Sequence, residues 1–227
     1  MKKYLIRNLM ICGVAMSLGA CAAVMTPERV AKLPAPIRAA LEPMMARQAA
    51  IARKFTSGTK KMLEGYSLVA EAIGLKKEAA TLRAEAAALN AGSSLNDSRK
   101  AMSRSEGLMG EVRAKIGASK GVTLASKERF AEGVRAKNEA YMIEVALATE
   151  ASIEAVRGVQ LIAKASPLDK ILLTTTLDPL FFFAKDVPRF LEQERKFEEN
   201  CQKFAKDYSI VLPKRELPTP KLQSLSF

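Results

Sequence analysis

The sequence predicts an all-α protein, an elongated helical bundle with long antiparallel helices and an extended, Pro-containing C-terminal tail. Three observations carry that prediction. The chain is rich in Ala, Leu, Glu, Lys and Arg, the residues that lose least on entering a helix. Its apolar residues recur at alternating spacings of three and four, the period of a bundle seam. No stretch shows the period-two alternation of a half-buried strand.

The elements follow in order. Thr26-Pro27-Glu28 has the form of a helix start, with a capping hydroxyl, a proline at the first helical position and an acid in the first turn. Pro34, Pro36 and Pro43 then predict short helical turns and bends up to residue 43. From Met44 to about Leu89 the pattern is sustained. Ile51, Phe55, Met62, Val69 and Ile73 share a stripe, with Gly58 and Gly65 in the intervening positions. Unbroken, this helix would be ~70 Å long, with Ser57-Gly58 and Gly74 as candidate kinks. Asn90-Ala91-Gly92 predicts its stop, and residues 93 to 97 a short turn.

A second helix is expected from about Asp97 to Ile116 and a third from about Leu124 to Ala165. Phe130, Val134, Tyr141, Val145, Val156 and Val159 supply the inner face of the third, whose second half is apolar on more than one side. Ile171 to Ala184 is the most apolar part of the chain after the N-terminal segment. Asp178-Pro179 is expected to restart a helix within it, and Lys185 to Pro188 to kink or restart it again. The last helix, to about Ser209, places Phe190, Phe197, Cys201, Phe204 and Tyr208 on one face, with Glu192, Arg195, Glu198 and Lys203 on the others. Pro213, Pro218 and Pro220 predict an extended tail over residues 212–227.

The N-terminus has a different character. Met1-Lys2-Lys3-Tyr4-Leu5-Ile6-Arg7 is followed by an apolar run, Asn8 to Ala20, and then Cys21. The run is too short to span a bilayer, which needs about 20 residues. A basic start, an apolar stretch and small residues before a cut site form a secretory signal. Leu18-Gly19-Ala20-Cys21 resembles the lipobox of bacterial lipoproteins. The resemblance implies cleavage between Ala20 and Cys21, a diacylglyceryl group on the Cys21 sulfur and acylation of the new amino group. Ala22 stands where many inner-membrane lipoproteins of Gram-negative bacteria carry Asp, which implies the outer membrane, facing the periplasm. The expected organisation is a signal over 1–20, a lipidated tether over 21–25, a helical domain over 26–211 and the tail over 212–227.

Composition narrows the function. The formal net charge is +12, and loss of Lys2, Lys3 and Arg7 takes the basic count from 36 to 33 against 24 acids, a net +9. Such a surface suits anionic headgroups, an acidic partner or an anionic polymer. The expected compartment argues against nucleic acid. The chain has no His and no Trp, which excludes a Ser-His-Asp or Cys-His centre and the commonest metal ligand. Cys12 leaves with the signal and Cys21 is lipidated, so Cys201 has no cysteine in its own chain to pair with. No phosphate loop, Cys-x-x-Cys or nucleophile elbow is present, so no catalytic, cofactor or metal residue is assigned.

Four features remain. Cys201 lies on the aromatic stripe and reads as a small core hydrophobe. Phe181-Phe182-Phe183 reads as a plug closing one end of the bundle. Glu78 with Glu85 and Glu150 with Glu154, at helical spacings, read as solvated faces. The basic stretch with Arg29, Lys32, Arg38, Arg47, Arg53 and Lys54 reads equally as a set of contacts to anionic lipid or as a solvated helix face. The expected function is an outer-membrane-anchored, non-enzymatic scaffold or adaptor for an envelope protein. A helical bundle binding lipid or another apolar ligand, and a membrane-active helical protein, are the alternatives.

Overall fold

The computed structural model describes residues 30–118, 123–212 and 217–222, which are helical almost throughout and contain no strand. The long helices are α1 (Ala35–Ala72) and α4 (Leu124–Ala163). Between them run α2 (Lys76–Ala88) and α3 (Leu95–Lys115), and after them α5 (Pro167–Lys185) and α6 (Val187–Asp207). A single 3-10 turn, Ile116–Ala118, follows α3.

α1 and α4, ~57 and ~60 Å long at 1.5 Å per residue, pack antiparallel along their length. The register shows in their ion pairs: Lys61 with Glu139, Lys54 with Glu150 and Arg47 with Glu154. Their backbones meet where a glycine faces a glycine. A Cβ on Gly65 would lie 2.7 Å from the Lys137 nitrogen, and one on Gly133 would lie 2.7 Å from the Gly65 oxygen. Of the two glycines on the α1 stripe, Gly65 is therefore the contact itself, whereas a Cβ on Gly58 would come no nearer than 3.4 Å to the Glu144 and Ile143 side chains. The helix continues unbroken through Ser57-Gly58 and ends just before Gly74, whose φ of 86° suits a residue without a side chain.

Two prolines behave differently from their sequence expectation. α1 is continuous from Ala35, with Pro36 in its first turn and Pro43 inside it. The carbonyl that Pro43 cannot engage belongs to Ala39, and both residues are exposed, so water reaches the gap. Pro179 likewise sits inside an unbroken α5. There Thr175, four residues earlier, is exposed, and Gln48 of α1 donates to the Thr176 carbonyl at 3.1 Å. The break expected between Lys185 and Pro188 is present, separating α5 from α6.

Caps follow sequence. Ser94 and Asp97 form a reciprocal capping box at α3, Thr123 caps α4 and Ser166 caps α5. The aromatic run is core only in part and does not close an end of the bundle: the Phe183 ring is wholly buried and meets Phe55, midway along α1, edge-on at 5.1 Å, whereas Phe181 and Phe182 are half-buried. Where described, the tail folds back along α4. Tyr141 donates its hydroxyl to the Pro218 carbonyl at 2.8 Å, and the Lys221 amide donates to the Thr149 hydroxyl at 3.3 Å. No described helix is long and apolar enough to cross a membrane.

Candidate functional site

Two features concentrate the chemistry of the described residues: a buried polar network and an apolar cleft beside it. The network exists because charged residues occupy seam positions. On α4, Lys137 and Glu144 share the stripe of Phe130, Val134 and Tyr141. On α6, Glu194 and Glu198 share the stripe of Leu191, Phe197 and Cys201. Helix packing takes all four out of water.

Glu194 is the hub. Tyr66 of α1 donates to its Oε1 at 2.8 Å, and Arg113 of α3 donates to the same oxygen at 2.7 Å. The Arg113 Nε also donates to the Tyr66 hydroxyl at 2.8 Å. From the other side the Lys137 Nζ stands 3.8 Å from Glu194 and 3.3 Å from Glu198. The Tyr66 ring stacks on Phe197 at 4.9 Å, covering the network with apolar surface. Burial raises the Tyr66 hydroxyl well above its ordinary range, and the Glu194 carboxylate adds to the rise. For Arg113, burial opposes the charge, but Tyr66 and Glu194 outweigh it and strengthen its hold on its proton. The network thus ties four helices together with mutually compensating charges.

Glu144 is the exception. It is fully buried, and neither carboxylate oxygen has a hydrogen-bond partner among the described residues. Burial, aided by the Glu194 charge, raises its pKa well above the usual carboxylate range and so favours its protonated form. A group raised on folding contributes its stability below its unfolded pKa and loses it as pH rises through the folded value. Glu144→Met is therefore expected to stabilise the chain by roughly 1–3 kcal/mol in alkaline buffer. It should also flatten the fall in stability on going from acidic to alkaline buffer. Urea denaturation of parent and variant at both pH values reads this directly, and equal pH slopes would reject it.

The cleft lies between α3 and the α5–α6 junction. Phe55, Met102, Met109 and Phe190 form apolar walls around about 400 Å³, with Arg99, Arg189, Glu106 and Asp186 among the charged lining residues. Arg99 lies 3.9 Å over the Phe182 ring and donates to Asp178 at 3.3 Å. Arg99, Phe182 and Asp186 also line a second groove of about 520 Å³ between α4 and α5, so the two adjoin.

Of the residues read from sequence, Ala20, Cys21 and Arg29 lie outside the described residues. The basic stretch does not form one free face. Arg47 pairs with Glu154, Lys54 pairs with Glu150 at 3.4 Å, and Arg38 donates to the Ala31 carbonyl at 3.2 Å. Lys32 and Arg53 point to solvent. Glu154 is not on a solvated face: it is buried, held by Arg47 and, at 2.7 Å, by Arg157. Glu85 takes a two-pronged contact from Arg104, at 2.8 and 2.6 Å. Glu198, expected on an outer face of the last helix, is buried against Lys137. Cys201 is buried as read, and burial pushes its thiol far above the ordinary range. Sequence reasoning missed Tyr66, Arg113, Lys137, Glu144 and Glu194. The signal was available for three of them: a charge on an otherwise apolar stripe. Among the described residues no group of three or more His, Cys, Asp or Glu side chains is placed to hold a metal ion. No protein family, curated protein or solved structure matches the chain.

Proposed function

We propose that this protein is a lipoprotein anchored through Cys21 to the outer membrane, facing the periplasm, where it acts as a non-enzymatic adaptor for another envelope protein. The cleft between α3 and α6 is the docking place. The observation that carries this reading is the cleft's make-up, an apolar floor of Phe and Met with a charged rim, the anatomy of an interface pocket. The buried ionic network supports it, since its charges compensate one another between helices. It braces the frame on which the cleft is built.

The test is a crosslinking pull-down from native membranes, comparing the parent chain with Cys21→Ser and with Met102→Arg. A recurrent envelope protein lost in both variants is the expected result. Recovery of the same proteins with Met102→Arg would reject the cleft as the docking place. One observation favours a second reading, in which the cleft takes a lipid or other apolar ligand: two Met side chains give it walls that adapt to varied shapes. Native mass spectrometry of the purified chain separates the two, because a bound small molecule adds a discrete mass.

A further inference from the structure

The turn joining α4 to α5 is a second surface, apart from the network and the cleft floor. Leu168 and Ile171, one helical turn apart on α5, are 82% and 69% exposed. Half-buried Leu172 continues their stripe, and Lys164 and Lys170 stand exposed beside them. The one acid within the turn, Asp169, is occupied locally, accepting from the Ser166 hydroxyl at 2.7 Å. Two free apolar side chains flanked by cations on a helix end have the composition of an interfacial membrane contact.

The antiparallel register places this turn at a particular end of the molecule. Arg47 meets Glu154 and Met44 lies against Gly158. Continued toward the start of α1, the same register brings Leu33 and Ile37 level with the α4–α5 turn. The chain reaches Val30 from Cys21 in nine steps, which span at most ~32 Å. α1 is ~57 Å long. A lipid on Cys21 therefore holds this end at the membrane, and the opposite end, where Leu124 is exposed, stands away from it.

We propose that the α4–α5 turn is a membrane-docking face: Leu168 and Ile171 enter the headgroup region of a bilayer while Lys164 and Lys170 contact anionic headgroups. The proposal rests on the anchored reading above for its orientation. It gives the adaptor a fixed stance, with the long axis of α1 and α4 leading away from the bilayer surface. Each cation near an anionic surface adds a salt-sensitive contribution, and the two apolar side chains add a salt-resistant one.

The chain has no Trp, so Leu168→Trp introduces a single optical reporter. The test uses residues 21–227 with Cys21→Ser, produced without the signal segment and so without acyl groups, with vesicles of phosphatidylcholine alone or mixed equally with phosphatidylglycerol. The expected result is a blue shift of the introduced indole's emission on the mixed vesicles and little on the neutral ones. In co-sedimentation, Leu168→Asp with Ile171→Asp should weaken binding at least about tenfold, while Leu124→Asp at the far end should not. Leu124, Leu168 and Ile171 are all exposed, and matched thermal melts confirm folding. Unshifted indole emission, equal losses for Leu124→Asp, or loss of self-association rather than vesicle binding in the double variant would each overturn the proposal. Failure of the anchored reading appears separately, as a mature native chain without acyl mass on Cys21.

Discussion

Gly133→Ala is expected to destabilise the folded chain by about 2 kcal/mol, although alanine is the better helix former. The added Cβ would stand 2.7 Å from the Gly65 oxygen and 2.9 Å from the Val69 nitrogen. Both are backbone atoms of α1, so no side chain can swing aside. The helices must separate along their closest contact, and overpacking of this kind costs roughly 1–3 kcal/mol. The propensity gain, about 1 kcal/mol, offsets only part of a cost at the upper end of that range. Gly65→Leu should prevent the native pairing altogether. Gly107, on the exposed side of α3 with nothing within 4 Å, supplies the control. There the same exchange meets no obstacle and should stabilise by up to about 1 kcal/mol. Denaturation midpoints at unchanged slope measure both. A Gly133→Ala chain as stable as Gly107→Ala would mean that the two backbones do not touch.

Lys137→Met is the second large effect, with an expected loss of about 3–5 kcal/mol. The substitution leaves Glu194 and Glu198 facing one another in an apolar interior with one compensating charge removed. Glu194 retains Arg113 and Tyr66. Glu198 retains a hydrogen bond from Gln202, at 2.7 Å, but no cation among the described residues. Adding Glu198→Leu should restore much of the loss, because the orphaned carboxylate leaves with its partner. The double variant is then more stable than the sum of the single effects predicts, and a double-mutant cycle in denaturant measures the difference. A Lys137→Met chain at parental stability would show that the ammonium contributes nothing to the fold.

Much of the helical layout was legible because its causes are local. The end of α3 and the start of α4 fall within a residue or two of expectation, and α6 runs over the stretch carrying the aromatic stripe. The seam on α1 was readable too, since Ile51, Phe55, Met62 and Val69 are all buried. Pro43 and Pro179 were misread because a proline ends a helix only when the freed carbonyl finds nothing else. Exposure of Ala39 and of Thr175, and the contact of Gln48 with the turn before Pro179, depend on the assembled bundle. The site was far less legible. On α4, Val156 and Val159 were expected inward and are only half-buried, whereas Lys137 and Glu144 are fully enclosed. Hydropathy ranks those residues in the opposite order. It carries no knowledge of the charges that will arrive from α3 and α6.

What the sequence determined by itself is the all-α class, most helix limits and the seam periodicity. These follow from propensity, capping and spacing, interactions that reach no further than a few turns. The tertiary structure alone decided which charges are buried, which glycines are contacts, and where an apolar surface stays open. Tyr66 meets Glu194 across 128 positions of chain and Arg113 meets it across 81. Such pairs acquire their energy only when packing removes water from both partners at once, and no local pattern encodes that event.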